Sequence, residues 1–312
     1  MKALVLKGFG ANLAVTEVPD PSPVAGELLV RVRAASINVY DTFVAMGAMK
    51  DYMSYEFPVV LGSDLAGTVE AVGEGVEGFA HGDRVFGMMG SKGAVHDGSF
   101  GELATPQAAS MAKTRDGVED ADAGSLGVAG TTAMSAVDAL GPIEGADVLV
   151  LGATGGVGSF AIQLAAVQGA HVIASVRPGD ESFVTGLGAS ETVDYTGDLA
   201  AAIRERHPDG VGGIVDLVNR DPEAFASVAG LAKAGGTVVS AVGGAGELTR
   251  IGDVAVANIN GNPALFPRLA EMVRDGKLRV PIRRIYPLTD AAQALQDFTN
   301  EHTLGKLVIT MP

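Results

Sequence analysis

The chain has 312 residues, of which 47% are hydrophobic and 19% are charged; 43 are glycine, none is cysteine, and the formal net charge is −15. This composition is typical of a globular α/β protein with one large or two medium domains. It excludes disulfides and thiolate metal sites, and the negative charge disfavours nucleic acid and anionic membranes as partners. No apolar run reaches 18 residues and the amino terminus lacks signal-peptide features, so we expect a cytoplasmic protein without a membrane span.

Short β-strands separated by glycine turns are predicted for about the first 114 residues. Leu28 to Ala34 alternates as a strand should, and Gly67 to Val72 indicates a further strand. Short strands at this spacing predict a barrel or a rolled sheet.

Strands and helices alternate in the second part of the chain, after a helix predicted over 121–140. The predicted strands are 148–151, 171–176, 213–217 and 236–241, and the predicted helices are 159–168, 199–206, 222–231 and 263–275. This alternation predicts a parallel, doubly wound sheet. The tail adds an extended segment at 279–287, a helix near 290–299 and a strand at 306–310.

A glycine-rich turn joins the predicted strand at 148–151 to the helix that follows. Gly155 and Gly158 match the dinucleotide motif G-x-G-x-x-G, but Ala153 stands at its first glycine. In such a turn, backbone N–H groups and the helix N-terminus face a pyrophosphate. The alternative is a tight turn without a ligand; the strand predicted about 20 residues later favours the dinucleotide site.

Several segments together resemble the medium-chain dehydrogenase/reductase family. They are VLGSDLAGTVEAVG at 60–73, GDRV at 82–85, ATGGVG at 153–158, GA at 188–189, VDY at 193–195 and GKLVI at 305–309. The resemblance implies a GroES-like domain of the β-barrel type at 1–114 and 278–312, and a Rossmann domain at 115–277. It also implies a carboxyl-terminal segment that returns to the first domain, an active site in the cleft between the domains, and a homodimer.

The zinc-independent branch of the family is favoured by two positions. Zinc-dependent members hold the metal with a cysteine and a histidine, whereas Asn38 and Ser63 stand at the matching places here and neither is a normal zinc ligand. The segment SINVYDTF at 36–43 is similar to quinone oxidoreductases and enone reductases, in which the asparagine lies near the nicotinamide. Phe43 replaces a tyrosine common in that branch. Tyr40, Tyr52 and Tyr55 lie nearby in the sequence and are candidates for contact with substrate, Tyr40 and Tyr52 being preferred; packing is the alternative for all three.

The end of the predicted strand 171–176 indicates NADP(H) rather than NAD(H). Ser175 stands where an acidic residue would bind the ribose 2′-hydroxyl, and Arg177 can grip a 2′-phosphate. Asp180 and Glu181 could repel that phosphate, and a solvated Arg177 is the alternative. The resemblance implies further cofactor-binding residues: Asn38, Thr132, Thr154, Gly155, Gly156, Val157, Tyr195, Val218, Val242, Gly243 and Lys306.

These features predict a zinc-independent, NADPH-dependent oxidoreductase that transfers a hydride to a quinone or to an activated C=C bond of an enone. Two alternatives remain open at this point. One is a reductase dedicated to a single biosynthetic intermediate, and the other is an NADPH-binding protein with little turnover. The sequence does not separate a general quinone or enone reductase from a reductase dedicated to one intermediate, because variable loops such as 46–56 and 248–263 would form the substrate pocket.

Overall fold

The structure is a computed structural model that describes residues 1–90 and 93–312. Its strands in chain order are β1 Lys2–Leu6, β2 Ala14–Glu17, β3 Leu28–Ser36, β4 Ser54–Tyr55, β5 Val59–Val60, β6 Asp64–Val72, β7 Arg84–Met88, β8 Ala94–Val95, β9 Leu103–Ala104, β10 Met111–Lys113, β11 Asp147–Leu151, β12 His171–Val176, β13 Glu191–Asp194, β14 Val211–Asp216, β15 Ala232–Ser240, β16 Arg250–Ile251, β17 Val254–Asn258, β18 Ile282–Pro287 and β19 Lys306–Thr310. Its α-helices are α1 Val39–Ala45, α2 Asp120–Ala123, α3 Val128–Ala139, α4 Gly156–Val167, α5 Glu181–Thr185, α6 Leu199–Arg206, α7 Pro222–Ala229, α8 Phe266–Arg274 and α9 Ala291–Asn300.

The chain forms two compact units. Unit 1 consists of Met1–Val128, Pro263–Asp275 and Ile282–Pro312, and unit 2 consists of Ala129–Asn262 and Gly276–Pro281. The sequence placed the first boundary after residue 114 and assigned all of 115–277 to the Rossmann domain. In the structure α8 belongs to unit 1.

Unit 1 is built on an open mixed sheet with the strand order β10-β7-β6-β3-β19-β18, and β9 also pairs with β3. The carboxyl-terminal strand β19 pairs antiparallel with β3 and parallel with β18, so the tail returns to the first unit as predicted. A second sheet has the order β2-β1-β5. The described strands do not close into a barrel, because the main sheet ends at β10 and β18.

The core of unit 1 explains why its separate chain segments stay together. Leu4, Val30, Phe100 and Ile309 are fully buried in one apolar cluster that also includes residues of α9. Burial of such side chains contributes about 1.5–3 kcal/mol each.

Unit 2 is the doubly wound unit that the sequence predicted. Its strand order is β13-β12-β11-β14-β15-β17-β16, with every pair parallel except β16 and β17. Successive strands turn to opposite sides of β11, which makes its carboxyl end the topological switch point.

The single helix predicted over 121–140 is wrong, because the segment is broken into α2 and α3. Glycines at the break let the chain pass close to neighbouring groups of unit 1. A Cβ at Gly124 would lie 2.6 Å from the Ala34 carbonyl oxygen, and one at Gly127 would lie 2.2 Å from Asp64 Oδ1. The break therefore follows from close packing of the backbone, which a helical periodicity does not report.

Candidate active site

The glycine turn of unit 2 lies directly between β11 and α4, and its glycines have different surroundings. Gly152 has a φ of +74°, which favours glycine. A Cβ at Gly158 would lie only 2.2 Å from the Gly152 carbonyl oxygen, so backbone atoms of the turn already occupy the space that a side chain would need. A Cβ at Gly155 would have the same oxygen as its nearest neighbour, at 3.5 Å. The protein's own packing therefore requires glycine at 158 but leaves space at 155.

The first turn of α4 is suited to an anion. Gly155 is the N-cap residue, Gly156 and Val157 open the helix, and the first turn holds no acidic side chain. The first N–H groups of a helix have no partner within the helix, and the helix dipole adds partial positive charge there. Thr154 precedes this turn and is almost completely buried.

The other predicted loop residues of unit 2 follow neighbouring parallel strands at their carboxyl ends. Val218 comes after β14, where Asp216 Oδ1 accepts the N–H groups of Val218 and Asn219 at 3.0 Å each. Val242 and Gly243 come after β15. Because the carboxyl ends of parallel strands meet at one edge of a sheet, these loops and the glycine turn share the edge at which α/β proteins bind ligands.

The end of β12 presents one exposed cation and one buried hydroxyl. The Nε of Arg177 donates to the Tyr195 hydroxyl at 2.6 Å, and both side chains are exposed. The Ser175 hydroxyl instead accepts the Gly152 N–H at 3.2 Å, and Ser175 is only 2% exposed. Ser175 thus ties β12 to the glycine turn, and its contact with a 2′-phosphate stays a prediction.

The two acids that could have opposed a phosphate lie just beyond this strand. Glu181 Oε2 accepts the Gly179 N–H at 2.8 Å, so its carboxylate bonds the loop backbone.

Thr132, a further residue predicted to bind the cofactor, lies in α3, with 8% of its surface exposed.

In unit 1, Asn38 and Lys306 are brought together although 268 residues separate them. Asn38 precedes α1 and Lys306 opens β19; both are buried. Lys306 Nζ donates to Asn38 Oδ1 at 2.7 Å and to the Ile37 carbonyl oxygen at 2.9 Å. The predicted contact of Lys306 with the cofactor stays a prediction; in the structure its ammonium bonds groups of its own unit and is almost without exposed surface.

Two buried carboxyls beside Asn38 were not singled out from the sequence. Asp64 Oδ2 accepts from Asn38 Nδ2 at 2.9 Å and from Ser36 Oγ at 2.7 Å, and Asp41 Oδ2 accepts the Asn38 N–H at 2.7 Å. Burial raises the pKa of Asp41 to about 7, and it also raises the pKa of Asp64 against the opposing effect of Lys306. The sequence offered one indication of the buried Asp64, namely an acidic residue at the start of β6, which is otherwise largely apolar.

The two tyrosine candidates are in different surroundings. The Tyr40 hydroxyl donates to Met53 Sδ at 3.4 Å, and partial burial raises the pKa of Tyr40. Tyr52 is 83% exposed. The structure therefore does not join Tyr40 and Tyr52 to the Asn38–Lys306 pair by any described hydrogen bond.

Comparison with known proteins identifies the family. Residues 24–137 match the family described as "Alcohol dehydrogenase GroES-like domain", and residues 187–309 match "Zinc-binding dehydrogenase". The chloroplast envelope quinone oxidoreductase homolog of Arabidopsis thaliana is 29% identical over 329 residues, which cover 99% of this chain and 98% of that protein. The acryloyl-coenzyme A reductase of Sulfurisphaera tokodaii is 31% identical over 234 residues, 65% of this chain and 69% of that protein.

A solved structure agrees with this result along the whole chain. The quinone oxidoreductase from Coxiella burnetii has a TM-score of 0.87 and 27% identity, and the match covers 100% of this chain and 99% of that one. The chain belongs to the medium-chain dehydrogenase/reductase family. Oxidoreductases of this family bind nicotinamide cofactors, and the glycine turn of unit 2 with the anion-accepting start of α4 fits the pyrophosphate of such a cofactor.

Zinc, which the second family description implies, does not fit the side chains at positions 38 and 63. An amide at Asn38 and a hydroxyl at Ser63 are not normal zinc ligands, and the Lys306 ammonium already lies 2.7 Å from Asn38 Oδ1. Within residues 1–90 and 93–312, no group of three or more His, Cys, Asp or Glu side chains could hold a metal ion. None of the helices in the described part of the chain has the length and apolar character needed to cross a membrane.

Proposed function

We propose that the protein is a zinc-independent, NADPH-dependent reductase of a quinone or of the activated C=C bond of an enone. The proposal rests on the family membership, on the glycine turn of unit 2, and on Asn38 and Ser63 in unit 1 at the places where zinc-dependent members have ligands. The bound cofactor supplies the hydride, and the protein supplies binding, orientation and electrostatics.

The residues that would hold the cofactor are those at the carboxyl edge of the unit 2 sheet. Gly155 leaves room for close approach of the pyrophosphate, and the N–H groups that open α4 at Gly156 and Val157 would donate to it. We assign Val218, Val242 and Gly243 to the walls of the same crevice, because they follow strands on the other side of the switch point.

A single observation carries the preference for NADPH, namely the exposed Arg177 guanidinium at the end of β12. Its Nε is bonded to the Tyr195 hydroxyl, so the plane of the guanidinium is oriented while its two terminal NH2 groups remain able to donate to a phosphate. A charge-assisted hydrogen bond contributes about 1.5–3 kcal/mol. This corresponds to about 10- to 150-fold tighter binding of NADPH than of NADH.

Proton delivery is assigned to water rather than to a tyrosine. The Tyr40 hydroxyl already donates to Met53 Sδ, and the raised pKa of Tyr40 makes it a weaker acid than an ordinary tyrosine. Hydride transfer to an electron-poor carbon or a quinone leaves an anion that water can protonate without a dedicated side chain.

The test is a paired titration followed by turnover. Enhancement of nicotinamide fluorescence on binding would be measured with NADPH and with NADH, for the protein as purified and for Arg177→Gln. We expect the substitution to weaken NADPH binding by about 10- to 150-fold and to leave NADH binding within about twofold. Arg204→Gln is the matched control, because Arg204 is an exposed arginine of α6 in the same unit. Equal loss for both cofactors in Arg177→Gln would remove the 2′-phosphate argument.

Turnover is then measured as NADPH oxidation with simple quinones and enones, before and after treatment with a zinc chelator. Activity that survives chelation supports the proposal, whereas activity that requires added zinc contradicts it. Cofactor binding without oxidation of NADPH by any acceptor would favour an NADPH-binding protein with little turnover.

A second candidate is a reductase dedicated to one intermediate such as an α,β-unsaturated acyl thioester. It is favoured by the 31% identity to an acryloyl-coenzyme A reductase. The kcat/KM for acryloyl-coenzyme A and for an uncharged enone of similar size separates the two. A ratio of 100 or more in favour of the thioester would support the dedicated reductase.

A further inference from the structure

A lysine ammonium is buried in unit 1 at a place where an unpaired charge would be strongly destabilising. Lys306 is 2% exposed, and its Nζ donates to Asn38 Oδ1 at 2.7 Å and to the Ile37 carbonyl oxygen at 2.9 Å. Asp64 Oδ2 lies 3.9 Å from the same nitrogen and forms an ion pair with it. A buried ammonium needs such partners, since its removal from water costs several kcal/mol.

The orientation of the Asn38 amide is dictated by these two charges. An ammonium can only donate hydrogen bonds and a carboxylate can only accept them. Asn38 must therefore turn Oδ1 to Lys306 and Nδ2 to Asp64, which is the observed arrangement with distances of 2.7 and 2.9 Å.

The Asp64 carboxylate is held from several sides and has no exposed surface. Ser36 Oγ donates to Oδ2 at 2.7 Å and the Val128 N–H donates to Oδ1 at 2.7 Å. These donors are neutral, so within this set Lys306 alone supplies a full positive charge. Asp41 adds a second buried carboxyl on α1.

We propose that the Lys306 ammonium is the resident cation of unit 1: it neutralises the buried Asp64 carboxylate, fixes the orientation of the Asn38 amide and fills the position that a metal ion would need. The ammonium is covalently attached through β19, so the charge balance of the centre requires no dissociable ion. The matching family is described as zinc-binding, whereas this centre already contains a cation, the Lys306 ammonium. That cation is the reason for the difference.

The experiment uses the full chain and does not depend on turnover. Lys306→Met keeps most of the side-chain volume and removes the charge, and Lys7→Met is the control at an exposed lysine of unit 1. Asp64→Asn/Lys306→Met removes both charges. Urea midpoints are measured by circular dichroism at pH 8 and at pH 5.5, and zinc content is measured after dialysis against zinc.

We expect Lys306→Met to lower the urea midpoint at pH 8 by about 1 M or more, because it leaves a buried carboxylate without a counter-charge. The loss should be smaller at pH 5.5, because burial raises the pKa of Asp64 and a protonated carboxyl needs no counter-charge, and the double variant should recover at least half of it. Loss of packing alone would be the same at both pH values and would not be recovered, so that result overturns the proposal. If Lys306→Met does not fold, the double variant must still fold; its failure would also overturn the proposal, as would stoichiometric zinc in the unsubstituted protein.

Discussion

Two glycines in the same turn should respond in opposite ways to the same substitution. Gly155→Ala places a Cβ 3.5 Å from the Gly152 carbonyl oxygen, which is an ordinary contact, at a φ of −74° that alanine adopts freely. Gly158→Ala places a Cβ 2.2 Å from the Gly152 carbonyl oxygen and 2.7 Å from Ala153 Cα. Both of those atoms are backbone, so no side-chain rotation can relieve the contact.

The magnitudes follow from these distances. Alanine at the N-cap is less favourable than glycine, but the loss of unfolded-state freedom offsets part of this, so Gly155→Ala should change the free energy of unfolding by no more than about 1 kcal/mol. Gly158→Ala should lower it by about 3 kcal/mol or more, as overpacking does. If the space at Gly155 is where the pyrophosphate approaches the backbone, Gly155→Ala should weaken NADPH binding at least tenfold, which corresponds to about 1.4 kcal/mol.

The assays are urea unfolding followed by circular dichroism, since the chain contains no tryptophan, and titration of cofactor fluorescence. Gly8→Ala is the control, because a Cβ there meets nothing within 4 Å. Unchanged NADPH affinity in a folded Gly155→Ala variant would refute the assignment of this turn to the cofactor. A stable Gly158→Ala variant would refute the packing argument instead.

Other substitutions test the electrostatics and the core of unit 1. Burial raises the pKa of Asp41 to about 7 from an unfolded value of about 3.9, so its contribution to stability is present at low pH and is lost as the pH rises between these values. Asp41→Asn should therefore remove a decline of up to about 1.4 kcal/mol per pH unit from urea unfolding measured between pH 5 and 7; equal slopes would contradict this. Phe266→Ala should cost about 3–5 kcal/mol of unfolding free energy, because the buried ring packs edge-on against Phe86 at 5.3 Å, and a loss below 1 kcal/mol would count against that packing. The Tyr286 hydroxyl donates to Asp297 at 2.6 Å and lowers the pKa of that carboxyl, so Tyr286→Phe should raise the pKa of Asp297 in a carboxyl NMR titration, and an unchanged value would argue against the bond.

Regular periodicity made much of unit 2 predictable from the sequence. The bounds of β12 and α6 agree with the predicted 171–176 and 199–206, because apolar runs and helix-capping patterns are local properties of the chain. The break between α2 and α3 was missed for the opposite reason. Gly124 and Gly127 are required by neighbours distant in sequence, and a helical composition continues across them.

Local pattern and distant contacts also explain the different surroundings of Ser175 and Arg177, the two residues predicted to bind the 2′-phosphate at the end of β12. Both Ser175 and Arg177 follow from reading the strand end as a ribose site. The direction of each side chain, however, depends on the pleat of the strand and on Gly152, whose backbone N–H donates to the Ser175 hydroxyl. The sequence therefore identifies the strand end as a candidate cofactor position, while the structure leaves Arg177 as the exposed member of the pair.

The buried centre of unit 1 shows where single-sequence reasoning ends. Lys306 stands in the segment GKLVI near the end of the chain, where a lysine is ordinarily a solvated residue. Only the pairing of β19 with β3 brings it within 2.7 Å of Asn38, and only then does the buried charge of Asp64 acquire a partner. A charge at position 306 and a charge at position 64 are each unfavourable in an apolar interior, and together they are a stable pair. The interaction between the two charges exists only in the folded protein. Substituting both residues must therefore lower the free energy of unfolding less than substituting Lys306 alone.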